Sequence, residues 1–402
     1  MPQLSVLGAF AEIPLIVLLA KATLILVLAM GVTIAPATLL AQGSAALKTC
    51  TDQRPALRNA LVDIHKRQRN IGLSALVVLR GQTVLTEHLG YADLEHRVPV
   101  TAVTRFGIAS ITKAFTGLAL LKLNESGRID LDAPIQRYVP AFPVKPGAPI
   151  TPRLLAAHLA GIRHWATERN ADLYSRHFDD VNDILPLFSG DTLISAPGSA
   201  ARYSSYGYNL LGAAIQSASG VKYQDYVSRT VIAPLGLTAT GYDDVRRVVP
   251  NRARRYSYFH PWTFAVDSAN VYRVPDWDYS HNMAGGNMYS TAGDLARLGG
   301  ALLKPGLLSR ESFALLYTRT KFAKGTADMS FGLFVSDSSA AHRRLSIGGS
   351  NAGLQSGLVI YPDDDLVIVV LANTWGIGSN SGEMTQGLPS RLASICMGWK
   401  PE

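Results

Sequence analysis

The stretch FGIASITKAFTGLALL, residues 106–121, places a serine and a lysine three positions apart at the start of an apolar helix. Ser110 and Lys113 therefore share one face of the predicted helix, which we expect to end near Gly127. In this arrangement the amine can hydrogen-bond the hydroxyl, and the positive end of the helix helps to stabilise an alkoxide. The stretch thus predicts that Ser110 is a nucleophile with Lys113 beside it.

The bare Ser-x-x-Lys spacing is a weak signal, because it occurs a second time in this chain. Ser219 and Lys222 match it equally well. That copy falls at a predicted helix end, where serine and glycine commonly terminate a helix, and we interpret it as structural. Ser110 differs because a strong helix begins there and because further motifs surround it.

Ordered motifs on both sides of Ser110 complete a family pattern. They are GRIDLDAP at residues 127–134, ITPRLLAAHLAGIRH at 150–164 and AGGNMYSTAGDL at 284–295. From about Gly72 to Asn373 the chain resembles the serine β-lactamase-like, penicillin-binding family, which includes class C β-lactamases, D-peptidases, esterases and mitochondrial β-lactamase-like relatives. The resemblance implies a serine hydrolase fold and is less specific for the substrate.

Strand-like runs at both ends of residues 50–402 enclose a helix-rich middle. This order predicts an α/β (α+β) fold of the β-lactamase/transpeptidase-like kind, in which one antiparallel β-sheet is flanked by helices and carries an inserted helical subdomain. We expect the chemistry in a cleft between the sheet and the insertion. The predicted helices are 56–69, 154–159, 208–219, 223–232, 292–303 and 384–396, and the predicted strands are 74–79, 83–89, 354–361 and 366–371.

The family's second motif, Tyr-x-Asn, is occupied here by residues 203–205. The resemblance makes Tyr203 the candidate base. A phenol ordinarily titrates at about pH 10, so Tyr203 can act at neutral pH only if a cation such as Lys113 lowers its pKa. Ser205 stands where asparagine is usual, and its hydroxyl reaches less far and offers one donor to a substrate carbonyl instead of two.

The third motif, Lys-Thr-Gly or His-x-Gly, departs further from the family pattern. Alignment backward from the predicted strand 354–361 places Gly349 at the motif's glycine and Ile347 where lysine or histidine is usual. Gly349 leaves room for substrate against the strand edge. The resemblance implies that the backbone N–H groups of Ser110 and Ser350 form the oxyanion hole, which requires no particular side chain at position 350.

Three further polar residues stand within these motifs. His158 and His164 lie in a segment that is a structural turn in the family, so we interpret both as packing residues. Asp294 follows Ser290 and Thr291 at a predicted helix start, where a carboxylate interacts favourably with the helix dipole. We interpret it as structural too.

The N-terminal residues 13–41 are almost wholly apolar and long enough to cross a hydrocarbon core of about 30 Å. Two interpretations in which the stretch meets a membrane stay open, beside a third in which it is a buried helix of a soluble protein. In the first, Lys21 ends the positive region of a signal peptide, 22–34 is its apolar region, and the small residues 35–37 supply the cleavage site. In the second, the stretch is an uncleaved anchor. Either way, residues 1–49 form the leader, and the hydrolase domain 50–402 is exported, periplasmic or membrane-anchored outside the cytoplasm.

Composition excludes several other kinds of protein. The net charge of +8 is mostly dispersed, and we interpret the one basic cluster, Arg246, Arg247, Arg252, Arg254 and Arg255, as a solvated loop, so no nucleic-acid partner is expected. The two cysteines, Cys50 and Cys396, can form one disulfide in an oxidising compartment but no cysteine-based metal site. His-Glu-x-x-His spacing is absent, so we predict no metal and no cofactor.

These observations favour acyl transfer from a small-molecule or peptide substrate. Ser110 attacks a carbonyl, Lys113 and Tyr203 move its proton, and water releases the acyl group. The substrate is a β-lactam, a D-amino peptide or an ester. Two alternatives stay open: a non-hydrolysing binding or assembly protein of the same fold, and a penicillin-binding sensor that is acylated but releases the acyl group slowly. The oligomeric state is left open.

Overall fold

A computed structural model describes residues 45–165, 171–263, 265–336, 342–376 and 382–400. The chain divides into two compact units, Met1–Thr49 and Cys50–Glu402. The predicted leader segment 13–41 lies outside the described residues. Across the ranges that the structure describes, no helix combines the length and the apolarity needed to cross a membrane.

An eight-stranded antiparallel sheet forms the centre of the second unit, in the order β11-β12-β13-β14-β15-β1-β2-β3. The first and last long strands of the chain, β1 and β15, are neighbours in it, which brings the two ends of the unit together. This sheet and its covering helices confirm the predicted fold class. Its strands are β1 (Gly72–Leu79), β2 (Gln82–Asp93), β3 (Val98–Pro99), β11 (Met329–Ser330), β12 (Leu333–Ser336), β13 (Arg344–Asn351), β14 (Leu354–Tyr361) and β15 (Leu366–Ala372).

Short strands and helices make up the remainder of the unit. The small sheets contain β4 (Phe106–Gly107), β5 (Gly241–Tyr242), β6 (Tyr256–Ser257), β7 (Tyr272–Arg273), β8 (Met288–Ser290), β9 (Lys321–Phe322), β10 (Gly325–Thr326) and β16 (Thr374–Trp375). The α-helices are α1 (Arg54–Arg67), α2 (Thr112–Glu125), α3 (Pro152–Ala156), α4 (Ser205–Ser219), α5 (Tyr223–Val227), α6 (Met283–Gly286), α7 (Ala292–Ala301), α8 (Arg310–Leu316) and α9 (Leu388–Met397).

The central strands are covered on both faces. Every residue of β14 and β15 is buried. A side chain added at Gly299 of α7 would overlap Val367 on one face, and one added at Gly357 would lie 3.0 Å from Pro389 of α9 on the other. Strand β15 is therefore a continuous apolar run, as expected where helices pack on each side of a sheet, whereas β14 also buries the polar residues Gln355 and Ser356.

Two predicted helices contain a change of hydrogen-bonding pattern. The helix predicted over 223–232 is α5 followed by a π-helical turn, Ser228–Ile232, and the helix predicted over 384–396 begins with a π-helical turn, Glu383–Gly387, before α9. At the second site Pro389 occupies the first turn of α9. Proline is tolerated there, because the N–H groups of the first turn have no partner within the helix.

A disulfide joins Cys50 to Cys396 across a sequence separation of 346 residues. Both cysteines are fully buried. Cys396 belongs to α9, and Cys50 precedes α1. The bond therefore links the beginning and the end of the unit covalently.

Candidate active site

A tight turn presents Ser110 at the start of α2. Residues Ala109–Ile111 form a single 3-10 turn, and α2 begins at Thr112. Ala109 has a φ of +42°, a left-handed conformation that is uncommon outside glycine and tends to cluster at functional sites. The Thr112 hydroxyl donates to the Ala109 carbonyl at 2.7 Å and holds the turn.

Lys113 lies beneath Ser110, fully buried. Its Nζ is 3.3 Å from Ser110 Oγ, 3.0 Å from Ser205 Oγ and 2.6 Å from the carbonyl oxygen of Gly285. The i, i+3 spacing therefore places the amine beside the hydroxyl as the sequence predicts. Ser205 and Gly285 fix the amine from two other segments of the chain.

Burial lowers the pKa of Lys113 well below that of a solvated lysine. In the part of the chain that the structure describes, no carboxylate lies within salt-bridge distance of its Nζ, so no counter-ion opposes this shift. A neutral amine has a free lone pair. Lys113 can therefore donate to Ser205 and Gly285 while accepting the proton of Ser110.

Tyr203 approaches the same serine from the other side. Its hydroxyl donates to Ser110 Oγ at 2.7 Å, and Lys113 Nζ lies 4.8 Å from the centre of its ring. Although 38% of the residue is exposed, burial of the phenol raises its pKa to about 12, and hydrogen bonds with Ser110 and Ser205 offset this only in part. The sequence argument required the opposite shift. Tyr203 is a neutral hydrogen-bond donor at neutral pH, and its role in proton transfer stays a prediction.

Two histidines hold the segment that carries Tyr203 and Ser205. Nδ1 of His158 accepts the N–H of Ser204 at 3.0 Å, and Nδ1 of His164 accepts the N–H of Ser205 at 3.1 Å. Burial lowers the pKa of His158 well below the usual value. Although part of His164 is exposed, desolvation of its ring lowers its pKa to about 4. Both rings stay neutral and act as backbone acceptors, so they position the segment as structural residues.

The edge of β13 lies opposite the Ser110 turn. Strand β12 pairs only with residues 344–346 of β13. Beyond residue 346, this edge of β13 faces the Ser110 turn. A side chain at Gly349 would overlap the Ile108 carbonyl oxygen and lie 2.8 Å from the amide nitrogen of Ser110. Gly349 is therefore required for the close approach of the Ser110 turn, and its predicted role of leaving room for substrate stays a prediction. The N–H of Ser350, one residue further, stays the predicted second oxyanion donor.

Ile347 shares a face of β13 with Gly349, because side chains two residues apart in a strand point the same way. It is fully buried in the main hydrophobic core. Ile347 is thus an apolar packing residue, and its assignment to the position where the family supplies a cation stays a prediction.

Ser356 connects the sheet to the turn, a contact that sequence motifs do not indicate. From β14 its hydroxyl donates to the Ile108 carbonyl at 2.8 Å, two residues before the nucleophile. The other contact missed by sequence reasoning is the Gly285 carbonyl, although the Gly-Gly pair at residues 285–286 lies within a family motif. A side chain at Gly285 would lie 3.1 Å from Ser205 Cβ, so this glycine lets its backbone reach Lys113.

The remaining candidates lie outside this constellation. Asp294 accepts from the Ala239 amide and the Thr240 hydroxyl at 2.8 Å each, and Ser219 bonds backbone carbonyls at the end of α4. Each arginine of the basic cluster pairs with an aspartate. Among the described residues, the one group with three neighbouring metal-type ligands is Asp93, Glu95 and His96, and none of these contacts Ser110.

Ser110, Lys113 and Tyr203 thus meet at one site on a fold of the β-lactamase/transpeptidase-like kind. The beta-lactamase family model matches residues 52–386, and the chain belongs to this family. It is 29% identical over 427 residues to the human mitochondrial serine beta-lactamase-like protein LACTB, with 79% of this chain and 76% of the relative covered.

Solved structures share the fold. An octameric penicillin-binding protein homologue from Pyrococcus abyssi superposes with a TM-score of 0.73 at 23% identity, covering 87% of this chain and 78% of the other. The D-amino acid amidase of Ochrobactrum anthropi SV3, solved with L-phenylalanine amide, gives a TM-score of 0.71 at 24% identity, covering 86% and 98%. These findings confirm the resemblance stated from the motifs.

Proposed function

We propose that the protein is a serine hydrolase that works through an acyl-enzyme on Ser110. One observation carries the proposal: Ser110 Oγ lies between Lys113 Nζ at 3.3 Å and the Tyr203 hydroxyl at 2.7 Å. A serine hydroxyl needs a base within hydrogen-bond reach to become a nucleophile. The buried amine, with its lowered pKa, is such a base.

The proton can be followed through the reaction. Neutral Lys113 takes the proton of Ser110 as Oγ attacks the substrate carbonyl. The backbone N–H groups of Ser110 and Ser350 stabilise the oxyanion. When the intermediate collapses, the proton passes from Lys113 through Tyr203 to the leaving group. Water then gives a proton to Lys113 and attacks the acyl-enzyme, and Ser110 regains its proton when the acid leaves.

The test uses two acylating probes on the full chain and on Ser110→Ala. A fluorophosphonate and a fluorescent penicillin are each incubated with the protein, and the adduct and its release are followed by intact mass. We expect a Ser110-dependent fluorophosphonate adduct and turnover of a p-nitrophenyl ester. A persistent penicillin adduct without turnover would support the sensor, and absence of any adduct would support the non-hydrolysing protein.

The apolar position 347 favours neutral esters or amides over penicillins. A charge-assisted hydrogen bond contributes about 1.5–3 kcal/mol, so its loss lowers kcat/KM for carboxylate-bearing substrates by roughly one to two orders of magnitude. We expect the parent to prefer a neutral p-nitrophenyl ester to a penicillin and Ile347→His to shift the ratio toward the penicillin. The measurement is the ratio of the two kcat/KM values.

Ile347→Val is the matched control, since it keeps the position apolar and buried. It should leave the ratio of the two substrates unchanged. A parent that already prefers the penicillin, or a folded Ile347→His with an unchanged ratio, would show that Ile347 does not occupy the cation position.

We further propose that the leader carries the hydrolase domain out of the cytoplasm. The Cys50–Cys396 disulfide supports this, because such bonds persist in oxidising compartments. A reporter fused after residues 1–49 should reach the far side of the membrane. A wholly cytoplasmic, soluble reporter would refute the proposal.

A further inference from the structure

A connected set of aromatic rings lies beside the catalytic constellation. We name it the aromatic wall: Trp165, Tyr174, Trp277, Tyr279 and His281. Its ring centroids are separated by 4.8 Å between Tyr174 and Trp277, 5.4 Å between Tyr174 and Tyr279, 5.8 Å between Trp165 and His281, and 6.3 Å between Trp165 and Tyr174. Trp277, Tyr279 and His281 are almost fully buried, whereas Trp165 and Tyr174 are half-buried. The wall therefore has a buried part and a part that is accessible to solvent, and Trp165 and Tyr174 form the accessible part.

The wall contacts the helical side of the site through His164. The His164 ring lies 5.4 Å from Trp165 and 5.5 Å from Tyr203. Its Nδ1 also accepts from the backbone of Ser205. Aromatic surface thus continues without interruption from the phenol beside Ser110 to the wall.

The wall also contacts the sheet side of the site. Ala352, two residues beyond Ser350, packs against the cluster that contains Trp277 and Tyr279. Arg255 is the charged group on this wall, 5.0 Å from the Tyr279 ring, and Asp243 pairs with it at 2.7 Å. Among the described residues, those that join the two sides of the site are therefore mostly aromatic, and the charge of Arg255 is paired with Asp243.

The direction of β13 indicates which part of a substrate meets the wall. With the carbonyl oxygen on the amides of Ser110 and Ser350, position 347 lies on the side where the family binds the carboxylate of penicillins. In a penicillin that carboxylate belongs to the part attached to the lactam nitrogen, which is the leaving group. The group on the other side of the carbonyl carbon therefore points along β13 toward Ala352.

We propose that the aromatic wall binds the acyl group of the substrate and selects an aromatic or branched apolar acyl group. This inference rests on the proposed hydrolase function and names its substrate class. Aromatic rings hold such groups through edge-to-face and stacking contacts in addition to burial of apolar surface. Together with the apolar position 347, the wall makes an uncharged ester or amide of an aromatic or branched acid the best-matched substrate.

The test compares acyl groups on one leaving group in the full-length protein. We measure kcat/KM for p-nitrophenyl 3-phenylpropanoate and p-nitrophenyl acetate and take their ratio. We expect the phenylpropanoate to be preferred by roughly tenfold or more in the parent. Trp165→Leu, which removes wall surface, and Ala352→Phe, which places a bulky ring next to the wall, should each lower this ratio by about tenfold. Phe313→Leu removes a half-buried ring that lies outside the wall and packs on Tyr317 at the end of its own helix, and this variant should keep the ratio.

A second pair, phenyl acetate and 1-naphthyl acetate, varies only the leaving group. If Trp165→Leu changes the ratio of this pair and not that of the acyl pair, the wall binds the leaving group and the inference is wrong. If the parent hydrolyses both acyl esters equally well, the inference fails while the hydrolase function stands. If no ester is hydrolysed and Ser110 forms no fluorophosphonate adduct, both fail.

Discussion

Lys113→Met should lower the rate constant for acylation of Ser110 by about 10³-fold, within the range found for general acid–base catalysis. Methionine keeps the length of the buried side chain but has no lone pair that can accept the serine proton. The Nζ contacts to Ser110, Ser205 and Gly285 are all lost. The measurement is the pre-steady-state burst of p-nitrophenol, supported by the rate of fluorophosphonate labelling.

The pH dependence separates a base from a merely structural lysine. Because the pKa of Lys113 in the folded protein is lowered, the neutral amine is populated above that lowered value, and acylation should rise with pH and then level off. Lys113→Met should abolish the rising limb. If Lys113→Met is slow but its acylation rate still rises with pH, a group other than Lys113 causes that rise.

The lowered pKa of Lys113 also predicts how the stability of the folded protein changes with pH. Between the lowered pKa of the folded state and about 10.4, the usual lysine value, the unfolded state binds a proton at Lys113 that the folded state does not. The free energy of unfolding therefore rises with pH across this window.

Lys122→Met on the same helix is the matched control for Lys113→Met, because Lys122 is partly exposed and pairs with Glu125 at 2.6 Å. It should leave the acylation rate and its pH profile unchanged.

Tyr203→Phe should lower acylation by roughly 10²-fold or more, the scale of general acid–base catalysis. The substitution removes the hydroxyl that donates to Ser110 Oγ at 2.7 Å and leaves the ring in contact with His158. Since burial raises the pKa of Tyr203 to about 12, we do not expect it to cause the rise near neutral pH. Tyr203→Phe should therefore be slower at every pH while keeping the limb that Lys113 produces. Burst kinetics from pH 5 to pH 10 measure both features.

Tyr206→Phe controls for the loss of a buried tyrosine hydroxyl on the same segment, since its ring stacks on Phe188 at 4.7 Å. Its acylation rate should stay within about twofold of the parent. Near-normal acylation in a folded Tyr203→Phe would remove Tyr203 from the mechanism. Loss of the rising limb in that variant would instead identify Tyr203 as the base and contradict the assignment to Lys113.

The local sequence was sufficient to predict those features whose contacts join residues close together in the chain. Strand β14 occupies the predicted residues, because a run rich in β-forming residues and bounded by turn residues specifies its own limits. The Ser110–Lys113 contact follows from the helical spacing alone. The helix predicted over 223–232 shows the limit of such patterns, since periodicity does not distinguish an α-helical turn from the π-helical turn at Ser228–Ile232.

The other contacts of the site join residues that are far apart in the chain, and sequence spacing does not predict such contacts. Tyr203 is 93 residues from Ser110, and Gly285 is 172 residues from Lys113. Motif order gave Tyr203 its place, but its pKa depends on how deeply the phenol is buried, which only the packed structure reveals. That is why the sequence argument required a lowered pKa and the structure has a raised one. The aromatic wall was missed for the same reason, since its rings come from separate segments.

The disulfide between the two ends of the domain also determines how the domain responds to tension. A pull applied between residue 49 and the C-terminus passes through the sulfur–sulfur bond of Cys50 and Cys396, not along the strands between them. Only the short segments outside the bond can lengthen, so β13, the Ser110 turn and α2 carry no load. If the leader anchors the chain in a membrane, the disulfide keeps a force on the leader from reaching Ser110. A reducing agent that breaks the disulfide would let this force act on the strands and on the Ser110 turn.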